Sequence, residues 1–209
     1  VKAYQKCPDV EIVAAADLVP GKAEAFCERY NVGENVAFFP SHKELIDSGR
    51  LGYMALLRNL RNILQANVSP AHIEKVASHI CDPAKVAKSK QLPFRFLAAY
   101  KELMDVTSVH TATVLSALEK AVRESVNNLE GFGTDTSVLV AADVSGSMFS
   151  TISPKSSVMN YDIGILLSML LKSKCSSVIS GMFGESWKVL NLPQENILAN
   201  TIEMKSREG

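Results

Sequence analysis

Apolar positions change their spacing along this chain, and each change predicts a different kind of element. EIVAAAD (Glu11 to Asp17) and VAFFP (Val36 to Pro40) are short unbroken apolar runs, which predict two buried strands. KAEAFCERYNV lies between them and sets Ala23, Phe26, Cys27 and Tyr30 at helical spacing, after a Pro20-Gly21 turn and before a stop at Asn31 to Gly33. SHKELID opens another helix, with Ser41 and Glu44 spaced as a capping box.

From residue 50 the period becomes helical throughout. GYMALLRNLRNILQAN puts Tyr53, Leu56, Leu57, Leu60, Ile63 and Leu64 on one stripe, with Arg58, Asn59, Arg61 and Asn62 between them. SPAHIEKVASHIC predicts a helix with Ser69 as N-cap and Pro70 in its first turn, and DPAKVAKSK repeats that start with Asp82 and Pro83. LPFRFLAAYKELM begins a further helix at Pro93, and HTATVLSALEKAVRESVNNL is a long amphipathic one. Short helices with Ser-Pro and Asp-Pro starts predict a stacked, HEAT-like repeat segment.

Past GFGTDTS (Gly131 to Ser137) the pattern alternates between strand and helix. SVLVAAD predicts a buried first strand. NYDIGILLSMLLKSKC predicts its helix, burying Ile163, Leu166, Leu167, Leu170 and Leu171. SSVISGMFG and SWKVLNL predict two more strands, with Trp187 pairing back as a hairpin edge, and QENILANTIEMKSREG begins the next helix. The fold class expected is therefore mixed. A partial βα Rossmann-like fragment (1–49) precedes a helical-repeat segment (50–130) and the beginning of a doubly wound α/β domain (131–209).

Composition allows this. Of 209 residues, 47% are apolar and 21% charged, so a real core is available. Cys7, Cys27, Cys81 and Cys175 are too far apart for a CxxC or Cys/His metal spacing, which points to a reducing, cytoplasmic setting. No run approaches the roughly 18 apolar residues of a membrane span, and no signal-peptide pattern opens the chain. The absent initiator Met suggests a start inside a longer protein. Cys175 falls at a helix end, no nucleophile–base–acid constellation stands out, and a non-enzyme is expected.

Net charge is zero but unevenly spread. Residues 50–123 hold eleven Lys and Arg against five Asp and Glu, whereas 1–49 hold five against eight and 124–209 six against nine. A basic segment between two acidic ones is the electrostatic footprint of a nucleic-acid surface, or else of a solvated helical face. Candidate nucleic-acid contacts are Arg58, Arg61, Lys75, Lys85, Lys88, Lys90 and Arg95, with His72 and His79 behind them. Phe94, Phe96 and Tyr100 are either base-stacking aromatics or core.

The most informative stretch is VLVAADVSGSM (Val138 to Met148). An apolar run delivers Asp143, Ser145 and Ser147 into a Gly-containing turn. One carboxylate and two hydroxyls at alternate positions suit a hard cation such as Mg²⁺, which takes oxygen ligands and keeps several waters. The same residues would otherwise serve as helix caps.

Three family resemblances follow from these residues. Asp-x-Ser-x-Ser after a strand resembles the metal-ion-dependent adhesion site of von Willebrand factor A domains. That likeness implies Mg²⁺ or Mn²⁺ on Asp143, Ser145 and Ser147, and a partner's carboxylate completing the shell. MALLRNLRNIL, the helix before Asp82-Pro83, and LPFRFLAAYKEL are similar to the last repeats of the TROVE module of Ro ribonucleoproteins. The implied function is RNA binding: small structured RNAs outside the helical ring, single-stranded 3′ ends of misfolded RNAs through it. In that family the A domain follows the helical module, as it does here. DVEIVAAADLVPGKAEAFCERYNV and FFPSHKELID resemble the second βα unit of Gfo/Idh/MocA oxidoreductases, which implies Asp17 beside the adenosine ribose of NAD(P). The glycine-rich phosphate loop such a site needs does not occur in the chain, so Asp17 reads as an orphaned position. Three functions are thus in play: an RNA-binding ribonucleoprotein component, a metal-dependent protein-binding module, and an oxidoreductase fragment. A junction near Asp47 to Gly52 with both partners cut inside a domain suggests a fragmentary or misassembled reading frame. The later A-domain loops, whose Thr and Asp complete the metal shell, are not in the sequence, so cation binding is expected to be weak.

Overall fold

In the computed structural model, residues 12–204 are described, apart from 18, 33, 34, 67, 155 and 192. Glu11 of the first predicted strand, Gly33 of the first helix stop, Cys7, and the tail after Met204 lie outside the described residues.

The N-terminal part is a small parallel unit. β1 (Ala14–Ala16) and β2 (Ala37–Phe39) pair in parallel, with α1 (Lys22–Arg29) crossing between them. Gly21 takes φ 77° just before α1, a conformation that L side chains rarely adopt. The predicted apolar face of α1 is only half used. Ala23 and Cys27 are buried, but Phe26 is exposed and stacks on Tyr30, because two three-residue strands offer too little sheet to cover a full face. α2 (His42–Asp47) starts at Ser41, whose hydroxyl accepts the Glu44 N–H at 3.3 Å.

Five helices form the main core: α3 (Tyr53–Gln65), α4 (Pro70–Ile80), α5 (Pro83–Ser89), α6 (Pro93–Met104) and α7 (Thr111–Ser125). Pro occupies the first turn of α4, α5 and α6, where no backbone donor is needed. Asp82 caps α5 by accepting the Lys85 N–H at 3.0 Å. α3 buries Leu56, Leu57, Leu60, Ile63 and Leu64, and Ile73, Val76, Ile80, Phe96, Leu97, Leu103 and Leu118 complete the interior. The Tyr53 hydroxyl donates to the Ile80 carbonyl at 2.7 Å, tying α3 to the end of α4. At the α4 start Ser69 stands in the N-cap position, but its hydroxyl is used elsewhere and accepts no backbone N–H of the helix.

The C-terminal part is a three-stranded sheet ordered β3–β4–β5 with helix on one side. β3 (Ser137–Asp143) runs parallel to β4 (Ser177–Phe183), and β5 (Trp187–Leu190) returns antiparallel, with Trp187 opposite Phe183. α8 (Asn160–Lys174) packs on the face carrying Ala142, Ser180 and Met182. α9 (Ile197–Met204) packs on α8.

Two predictions need correction here. β3 is not buried on both faces: Leu139 is 69% exposed and its neighbour Ile179 58% exposed, because only one sheet face is covered by helix. α8 buries Leu166, Leu170 and Leu171 as expected, but the rest of the predicted stripe is displaced. Ile163 and Leu167 are exposed, while Tyr161, Asp162, Ile165 and Met169 are buried. A helix apolar nearly all round has no preferred face of its own, and contact with β3 and α9 selects it.

Among the described residues three side chains bind the helical segment to the α/β segment, and one of them, Lys174 of α8, donates to the Val126 and Leu129 carbonyls at 3.2 and 2.5 Å. Lys101 of α6 donates to the buried carboxylate of Asp162 in α8 at 2.5 Å and to the Ser157 carbonyl at 3.4 Å. Glu119 of α7 accepts the N–H groups of Leu198 and Ala199 at 3.0 and 2.8 Å, satisfying orphan donors at the start of α9. Among the described residues no helix is long and apolar enough to cross a membrane.

Candidate nucleic-acid interface and candidate metal loop

The amphipathic stripe of α3 decides where its cations go. Leu56, Leu57 and Leu60 face the core, so Arg58 and Arg61 are left on the exposed flank. Lys85 and Lys88 stand exposed on α5, and Lys90 follows it in a left-handed conformation, φ 49°. Arg95 lies in the first turn of α6.

Of the seven basic candidates, the fold brings Arg58 and Arg95 to one place. They line a cleft of about 470 Å³ between α3, α6, the 152–157 loop and α8. Phe94, Glu102, Ser153, Ser156 and Ser157 share it. The Arg95 guanidinium lies 5.2 Å from the Phe94 ring centroid, a cation on an aromatic face. Arg61, Lys75, Lys85, Lys88 and Lys90 do not line this cleft.

The aromatic candidates separate by burial. Phe96 is fully buried and packs edge-on to Tyr53, so it is core and not a stacking platform. Tyr100 is half-buried, and that burial, helped by the Glu119 charge, pushes its phenol above the ordinary value. Phe94 alone of the three combines partial exposure with a place in the cleft. Burial holds the His79 imidazole below its usual 6.5, and Lys85 adds to the effect against an opposing pull from Asp82. Burial and Lys85 both disfavour the charged form of His79.

Lys75 and His72 are already engaged. Lys75 Nζ donates to Asp47 Oδ1 at 2.5 Å, and His72 Nε2 lies 3.1 Å from Asp47 Oδ2. On its other side His72 Nδ1 sits 2.6 Å from the Ser69 hydroxyl. A Ser–His–Asp chain thus exists that sequence reading missed, because Asp47 is far from the other two along the chain. Its polarity is the reverse of a serine hydrolase: serine is on Nδ1 and the carboxylate on Nε2. Asp47 also shares its charge with Lys75, whose hydrogen bond holds the Asp47 carboxyl below its ordinary value. The arrangement reads as a strut joining α2 to α4.

The loop after β3 is the second candidate. Asp143 ends the strand, and its Oδ1 accepts the Ser145 N–H at 2.9 Å, curling the loop over the carboxylate. That backbone bond, with a further one to the Ser145 side chain, lowers the Asp143 pKa and keeps it anionic. The Ser145 and Ser147 hydroxyls are 3.2 Å apart. Neighbouring ligands of an octahedral Mg²⁺ at about 2.1 Å are about 3 Å apart, so these two oxygens suit adjacent vertices. Ser147 lies within a one-turn 3₁₀ helix, Gly146–Met148, with Ser145 at its N-cap. Beside the loop is a cavity of about 520 Å³ lined by Ser145, Gly146, Phe149, Glu185 and Ser186. Among the described residues no group of three or more His, Cys, Asp and Glu is placed to hold a metal, so the donor set here is one carboxylate with hydroxyls.

Asp17 turns its carboxylate on its own loop: Oδ1 accepts the Val19 N–H at 2.9 Å, and Lys22 Nζ lies 3.3 Å from Oδ2.

Lys101, Asp162 and Glu119 are the residues that sequence reading did not single out. The available signal was a lone acid, Asp162, in the first turn of an otherwise apolar helix.

Residues 42–130 match the family model described as TROVE domain. Over 61 residues, 29% of this chain, the sequence is 46% identical to telomerase protein component 1 of Rattus norvegicus and 44% identical to that of Mus musculus. The chain spans about 2% of the length of these relatives. Its fold is similar to the crystal structure of the Deinococcus radiodurans RO (RSR) protein, with a TM-score of 0.56 and 23% identity, over 87% of this chain and 39% of that one.

Proposed function

We propose that this chain, which matches the TROVE domain family over residues 42–130, is an RNA-binding component of a ribonucleoprotein and not an enzyme. The observation that carries this reading is the coincidence of the family match with the basic segment: residues 50–123 hold eleven Lys and Arg against five acids. Arg58, Arg61, Lys85, Lys88, Lys90 and Arg95 are all exposed, while Lys75 is shared with Asp47. Exposed cations on a rigid helical stack neutralise phosphates and release counterions, which makes affinity steeply salt-dependent. The RNA classes this reading favours are small structured RNAs and single-stranded 3′ ends. Among the described residues Cys27, Cys81 and Cys175 are free thiols, compatible with the reducing setting expected from the sequence. Filter binding of a hairpin RNA with a single-stranded tail tests it. Binding should weaken at least about tenfold between 50 and 200 mM salt if several phosphates are neutralised. Affinity unchanged across that range refutes it.

A second reading rests on the β3 loop. The resemblance to a von Willebrand factor A metal site is supported by the 3.2 Å spacing of Ser145 and Ser147 and by the anionic Asp143 at its base. A Mg²⁺ or Mn²⁺ held there would offer an open coordination position to a carboxylate on a protein partner. Mn²⁺ should broaden amide signals around Ser145 in the wild type and not in Asp143→Ala. Equal broadening in both removes this reading.

A further inference from the structure

The cleft that gathers Arg58 and Arg95 has a composition unlike the rest of the basic surface. Its floor is apolar, built from Met54 and Leu57 of α3, Ala98 of α6 and Ile163 of α8. At about 470 Å³ it falls within the size range of small-ligand sites. Its wall on the α/β side carries the hydroxyls of Ser153, Ser156 and Ser157.

That wall is held in place. Lys101 bonds both the Ser157 carbonyl and the Asp162 carboxylate, so the loop is fastened to α6 across the cleft's edge. Ser156 accepts the Val158 N–H on its hydroxyl at 3.0 Å and donates its own N–H to Ser153 at 2.9 Å. A pre-formed cleft loses little entropy when a ligand enters it.

We propose that this cleft binds one unpaired nucleotide of a single-stranded RNA, its base against Phe94, Arg95 and the apolar floor and its phosphate on Arg58. The inference rests on the RNA-binding reading above and makes that reading local. Each part has a chemical counterpart. A planar base covers apolar surface and stacks on an aromatic ring or a guanidinium plane. The Arg58 guanidinium supplies forked donors for phosphate oxygens. The serine hydroxyls reach the sugar or a second phosphate oxygen. Glu102 accepts from the amino edge of a base and disfavours a bare phosphate cluster. Among the described residues, the exposed lysines on and after α5 neither line this cleft nor pair with an aromatic ring, so they serve any phosphate backbone alike.

The test uses the full chain and two fluorescein-labelled probes: a short single-stranded oligoadenylate and a duplex RNA of the same length, both read by anisotropy. Arg58→Ala with Arg95→Ala should weaken the single strand at least about tenfold and the duplex by less than about twofold. Phe94→Leu keeps apolar volume and removes the ring. It should weaken the single strand about fivefold or more and leave the duplex unchanged. Lys88→Ala with Lys90→Ala removes the same charge elsewhere and should weaken both probes equally. Urea midpoints confirm that the exposed arginine changes leave the fold intact. If the arginine pair and the lysine pair affect the two probes identically, the cleft is ordinary basic surface, and the proposal fails while RNA binding stands. If the wild type binds neither probe, both readings fail.

Discussion

Lys101→Met removes the cation from a carboxylate that has no route to water. Asp162 is fully buried, and its Oδ2 accepts from Lys101 at 2.5 Å and from the Met159 N–H at 2.8 Å, while its Oδ1 has no hydrogen bond among the described residues. Breaking a buried ion pair from one side costs about 3–5 kcal/mol, because the remaining charge is left uncompensated. The surviving Met159 N–H places the expectation at the lower end, about 3 kcal/mol. With a urea slope of about 2 kcal/mol/M, the unfolding midpoint should fall by about 1.5 M. The reverse variant, Asp162→Asn, strands a lysine that is 18% exposed and can turn outward, so it should cost less, about 1–2 kcal/mol. The double variant should be less destabilised than the sum of the two, since neither charge is then orphaned. A Lys101→Met midpoint within about 0.3 M of wild type would refute the reasoning, because a loss that small means the buried charge never depended on Lys101.

Three further outcomes are expected. Gly181→Ala should lower stability by about 1–3 kcal/mol in a thermal melt, since the new methyl would overlap the Trp187 ring and sit 2.8 Å from the Lys188 carbonyl. Asp47→Asn should destabilise at neutral pH but converge with wild type in acid. The Asp47 pKa is lowered in the fold, so its contribution is fully present above the ordinary value of 3.8 and fades as pH falls through the lower folded value, which paired acid-unfolding curves would read. The His79 imidazole, held below 6.5 by burial, binds its proton more tightly in the unfolded chain. Stability should therefore drop as pH falls below 6.5, and His79→Gln should flatten that drop; an NMR titration of His79 with a midpoint at or above 6.5 would contradict this.

How much of this was legible in the sequence depends on the range of the interaction. Helices α3 to α7 were readable because period, prolines and Asp82 act within a few residues. The proximity of Asp143, Ser145 and Ser147 was readable because all three lie on one turn. The face of α8 was not, since a nearly all-apolar helix leaves the choice to its neighbours. Nor was the use of Ser69, whose hydroxyl turns to His72 instead of the backbone. The pairs Asp47–Lys75, Lys101–Asp162 and Glu119–Leu198 span tens of residues, and no local pattern announces them. The cleft of Arg58 and Arg95 was half visible: both residues were candidates, but only packing shows that they meet and that Phe94 joins them.

The carboxylate of Glu119 at the head of α9 sets an order of events. Leu198 lies 79 residues after the side chain that receives its amide, so the first turn of α9 finds its acceptor only once α7 is in place. The amides of Leu198 and Ala199 thus become reporters on a distant part of the molecule. They exchange with solvent hydrogen whenever the helical stack opens, and their protection is a clock that runs on α7.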